Sequence, residues 1–101
     1  MKARIPSKIK VGAHTYSIEL DPYLIGDRNR YGEVCHRTER ITIGSSEPVA
    51  LRNQTLLHEV LHIGETFYRI NISDDDIDRI AETILQFLDS MGIEFDWADI
   101  K

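Results

Sequence analysis

Residues 40–68 read RITIGSSEPVALRNQTLLHEVLHIGETFY, and the repeat of their apolar residues changes partway along. Ile41 and Ile43 alternate with Arg40 and Thr42, the two-residue period of a strand with one buried face. Beyond Pro48 the period lengthens. Leu57, Val60, Leu61, Gly64 and Tyr68 fall on one stripe of a helix predicted over about 47–68. Ser46 suits its N-cap, Glu47 its first turn and Pro48 the position just inside.

Working outward toward the start, Lys8 to Leu20 alternates apolar and polar residues on either side of Gly12-Ala13, which predicts a hairpin. Pro22, Gly26, Asp27, Asn29 and Gly32 mark a connection. A second hairpin follows, with strands near 31–36 and 40–44 turning at Arg37-Thr38-Glu39, and Cys35 is expected to be a buried residue of it. Toward the other end, Asn71 to Ser73 is a short link, and Ser73 is the expected cap of a second helix. Its first turn, Asp74 to Asp76, suits the positive end of a helix dipole. Ile77, Ile80, Ala81, Ile84 and Leu88 form its apolar stripe up to Gly92, a helix-stopping residue.

The predicted fold class is therefore α+β: a small antiparallel sheet of about four strands in two hairpins, followed by two antiparallel helices. Residues 1–101 are read as a single domain, with 1–7 and 93–101 as loosely packed ends. Phe67, Tyr68, Phe95 and Trp97 are available to the core or to an interface.

Charge narrows the function. The net charge of −5 divides unevenly, eight Lys/Arg against five Asp/Glu over residues 1–43 and four against twelve over 44–101. An acidic chain without a basic helix is poorly suited to gripping phosphates, so no nucleic-acid partner is expected. No segment approaches the roughly 20 apolar residues of a membrane span, and none at the start resembles a signal peptide. A single cysteine fits a reducing compartment, and a cytoplasmic location is expected.

Within the helix, His58, Glu59 and His62 spell HExxH. Residues four apart share a helix face, so both imidazoles can address one point. Two neutral imidazoles and one further ligand hold zinc with a position open for water, and the intervening glutamate is placed to take that water's proton. One Zn²⁺ per chain is expected. The longer pattern HExxHxxGxxH is excluded, because Glu65 and Tyr68 stand where glycine and histidine would be required. The third ligand is then sought as a carboxylate on the second helix. Glu82 is the first choice for its reach, Asp78 the alternate, and Asp74 a lesser candidate. Glu65 is a candidate acceptor for the ring N–H of a metal-bound histidine.

These features resemble a compact gluzincin, a zinc peptidase with HExxH on one helix and a glutamate ligand on the next. More narrowly, RITIG…QTLLHEVLH…DDDIDRIAETILQFL resembles the small ImmA/IrrE-like metallopeptidases frequent in phages and mobile elements, over roughly residues 8–91. That resemblance implies a minimal zincin-like fold and a selective peptidase acting on a protein or peptide substrate. It implies His58 and His62 as ligands and Glu59 as general base. It also implies that the strand before the helix, Arg40, Ile41, Thr42, Ile43 and Gly44, pairs with an extended substrate by strand addition. No evident group stabilises the oxyanion, and Tyr68, Tyr31 and His36 are the residues available. The alternative is a non-catalytic protein on the same scaffold that captures a partner peptide or protein.

Overall fold

A computed structural model describes residues 1–28 and 31–101. In chain order the elements are β1 (Lys2–Arg4), β2 (Lys8–Val11), β3 (His14–Asp21), α1 (Leu24–Arg28), β4 (Gly32–Cys35), β5 (Arg40–Gly44), α2 (Val49–Tyr68), α3 (Asp74–Ser90) and β6 (Glu94–Asp96). The architecture is α+β, as its sequence predicts, and both expected hairpin pairings form: β2 with β3 and β4 with β5, each antiparallel.

The sheet as a whole is mixed rather than antiparallel. Its order is β2-β3-β5-β4, and the two hairpins meet through a parallel pairing of β3 with β5, from Ser17 beside Arg40 to Asp21 beside Gly44. Parallel neighbours require a crossover of a dozen or more residues, which α1 and β4 supply between them. Consequently β5 is interior and β4 forms an edge.

Tyr16, Ile18, Ile41 and Ile43 point from the sheet into a core completed by Leu56 and Ile63 of α2. The most buried residues of α2 are Thr55, Leu56, Glu59 and Ile63, with Val60 and Phe67 packed on the same core. This line differs from the expected stripe, whose last member, Tyr68, is 64 % exposed. The helix contacts the sheet and α3 at once, so apolar residues surround most of it and periodicity alone does not identify the face turned to the sheet. Its N-cap is Pro48, not Ser46, and no side chain caps it. Glu47 lies buried instead of in an exposed first turn, and burial raises its carboxyl pKa.

Ser73 caps α3 as expected, its Oγ accepting the Asp76 N–H at 3.2 Å. Ile77 and Ala81 are fully buried, Met91 ends the helix, and Gly92 follows at φ 73°, where glycine carries no Cβ penalty. The two ends are paired rather than loose: β1 and β6 run parallel, and Ile5, Trp97 and Ile100 are buried. Cys35, at the end of β4, is exposed rather than buried. Among the described residues no helix is long and apolar enough to cross a membrane.

Candidate metal centre and cleft

The HExxH residues lie in the middle of α2, on the side turned toward α3 and the edge strand β4. His58 Nε2 and His62 Nε2 face each other at 2.9 Å. The opposite nitrogen of each ring meets a carboxylate: His58 Nδ1 lies 2.7 Å from Asp78 Oδ1, and His62 Nδ1 lies 2.8 Å from Glu65 Oε1. A carboxylate accepts, so each Nδ1 carries the hydrogen, and two rings with no further proton aim their Nε2 lone pairs at each other. A shared cation resolves that repulsion, whether proton or metal. Asp74 Oδ1, 3.3 Å from His62 Nε2, supplies a third donor, and the ligand atoms of His58, His62 and Asp74 all lie within 4.8 Å of one another. Two imidazoles and a carboxylate suit zinc, and the carboxylates on the Nδ1 atoms are the usual orienting partners of metal-bound histidine.

The third donor is where structure and sequence expectation part. His62 is level with Asp74 and His58 with Asp78, so the next turn of α3 carries Glu82 past the pair, and Glu82 is exposed. Asp78 faces Nδ1 of His58 rather than the two Nε2 atoms. The link between the helices explains the offset. Arg69 adopts left-handed backbone at φ 55°, and Glu65 accepts the Ile72 N–H at 2.8 Å through Oε2, drawing the connection back over the last turn of α2. Glu65 therefore ties His62 to the link, and the Ile72 hydrogen bond, with the one to His62, holds its carboxyl pKa below the usual range.

Glu59 is 8 % exposed and borders two cavities, of about 480 and 390 Å³, which open on either side of it along β4. Burial raises its carboxyl pKa, while His58 and His62 pull in the opposite direction. A carboxylate so desolvated is a stronger base than one in water.

Sequence reasoning missed Gly32, whose only local signal is its place in a turn. A Cβ there would stand 2.6 Å from Thr55 Cγ2 and 3.2 Å from Glu59 Cγ, so only glycine lets the edge strand approach α2 this closely. Gly32→Ala is expected to destabilise the fold by roughly 1–3 kcal/mol through overpacking. Adding Thr55→Ser, which removes the colliding methyl, should restore most of that loss. Chemical denaturation of the single and double variants measures both effects, and equal stability of the two would show that the collision is relieved elsewhere.

The strand expected to pair with a substrate does not lie at an edge of the sheet. Arg40 to Gly44, as β5, has neighbours on both sides and no open edge to offer. The sheet's two edges are β2, which carries Lys8 and Lys10, and β4, which contains no lysine and borders the larger cavity. Comparison with models of protein families, with curated proteins and with solved structures finds no match to this chain.

Proposed function

We propose that this protein is a zinc-dependent peptidase that hydrolyses an extended peptide lying along β4. The observation that carries this reading is the pair of Nε2 atoms at 2.9 Å, each ring oriented by a carboxylate on its other nitrogen, beside a buried glutamate on the same helix. His58, His62 and Asp74 are the residues that would hold the metal. A zinc ion bound there supplies a Lewis acid and water of lowered pKa.

The remaining work belongs to side chains and backbone. Glu59 takes a proton from the attacking water and returns it to the leaving amine, and its burial keeps that carboxylate poorly solvated and basic. Asp78 and Glu65 fix the imidazole tautomers by accepting both Nδ1–H groups. The open edge of β4 offers backbone hydrogen bonds to a substrate strand, and the close packing at Gly32 keeps that edge against Glu59. Selectivity is expected of such an enzyme, with a protein or peptide as its substrate.

Elemental analysis of native protein, after dialysis against metal-free buffer, is expected to find about one zinc per chain. A value near zero that added zinc does not restore would reduce the imidazole pair to a proton-sharing element of the helix surface. The cleft would then serve only to capture a partner peptide.

A further inference from the structure

We propose that His36 is a substrate-binding residue of this cleft, donating a hydrogen bond from Nε2–H to the peptide carbonyl oxygen that becomes negative as water adds, and that Tyr16 is the residue that positions it. The proposal rests on the peptide-hydrolysing reading above. His36 follows β4 directly and borders the cavity of about 480 Å³ together with Glu59 and His62. It stands on the sheet wall of that cavity, and the other two on the helix wall.

A histidine on an exposed turn is ordinarily free to rotate, but this ring is held on two sides. The Tyr16 hydroxyl lies 2.9 Å from His36 Nδ1. Phe67, from the same helix as the imidazole pair, meets His36 edge-on at 6.5 Å and Tyr16 at 6.3 Å, while His14 stacks on Phe67 at 4.5 Å. The ring is thus buttressed by α2, and the two walls of the cavity are held in register through Phe67.

The hydrogen-bond direction follows from Tyr16. The residue is 1 % exposed, and burial, then the nearby Glu39 and Cys35, raise its pKa, so the phenol keeps its proton; among the described residues His36 Nδ1 is the one acceptor within reach of the buried hydroxyl, which therefore donates to it. A phenol donating to Nδ1 leaves the ring's own hydrogen on Nε2. The ring then presents a fixed N–H donor in a cleft whose other titratable residues there, Glu33, Glu59 and Glu65, are carboxylates, with His62 engaged by Glu65. A donor of that kind is what developing negative charge on a carbonyl oxygen requires.

The test compares zinc-loaded wild type with His36→Ala, His36→Gln and Tyr16→Phe in binding a phosphinic pseudotripeptide, a charged mimic of the tetrahedral state. Zinc content and the denaturation midpoint are measured in parallel. His36→Ala is expected to weaken phosphinic-peptide binding by about 100-fold with zinc content unchanged. Tyr16→Phe should lose several-fold, because the ring remains but is no longer aimed, and His36→Gln should recover part of the loss through its amide N–H. A His36→Ala variant that binds the phosphinic peptide as wild type does, whatever its denaturation midpoint, confines His36 to satisfying the Tyr16 hydroxyl and overturns the proposal. No binding to wild type also overturns it. Wild type that binds through His36 and hydrolyses no peptide sinks the peptidase reading while leaving the His36 contact in place.

Discussion

Glu59→Gln is expected to leave zinc near one per chain and to lower peptide turnover by about 10²- to 10⁴-fold, the usual contribution of a general base. Glutamine preserves the shape of the side chain where it packs beside Gly32, so the wall of the cleft should persist. It cannot accept a proton from water. Glu59 is not among the residues clustered at ligand distance, and for that reason metal content should separate from activity. Steady-state hydrolysis of a peptide library, measured alongside zinc content, distinguishes three outcomes. Turnover within tenfold of wild type would remove Glu59 from the mechanism. Loss of zinc together with activity would make Glu59 a support of the metal centre, and no turnover by zinc-loaded wild type would favour a peptide-capturing protein.

Among the carboxylates of α3, the largest effect on zinc affinity is expected from Asp74→Asn, more than about 100-fold, because it removes charge and a donor atom on the side of the two Nε2 atoms. Asp78→Asn should cost about 10- to 100-fold, the usual effect of losing the carboxylate that orients a ligating histidine. Glu82→Gln should leave affinity unchanged, as Glu82 is exposed one turn beyond the pair. Competition against a chromogenic zinc chelator measures all three. If Asp78→Asn proves the more damaging change, Asp78 and Asp74 exchange roles. If Glu82→Gln weakens binding, the register of α3 against α2 in the metal-loaded protein differs from that described above.

The helical placement of His58, Glu59 and His62 was legible in sequence because it depends only on local periodicity, and Glu65 as an acceptor for an imidazole N–H was legible for the same reason, although not that His62 is the ring it meets. Both hairpins and the Ser73 cap are likewise short-range features. The parallel seam between β3 and β5 was not legible, since alternation identifies a strand without naming its neighbour. That omission moved the open edge from Arg40–Gly44 to Gly32–Cys35. The choice of Glu82 rested on its reach, whereas the structure gathers Asp74, not Glu82, with His58 and His62, the left-handed Arg69 and the Glu65–Ile72 hydrogen bond folding the link back over α2. Neither is written in the apolar pattern of either helix.

The pairing of β1 with β6 has a consequence for how the molecule assembles during synthesis. Lys2 lies beside Glu94, Ala3 beside Phe95 and Arg4 beside Asp96. At about 5–20 residues per second, translation leaves the first strand waiting several seconds or more for its partner to be made. The four-stranded sheet and α2 contain their own pairings and can close earlier, but the Ile5, Trp97 and Ile100 side of the core remains open to water until β6 emerges. A ribosome stalled between α3 and β6 would therefore hold this fold with one apolar flank uncovered, the form of it most exposed to chaperones and to aggregation.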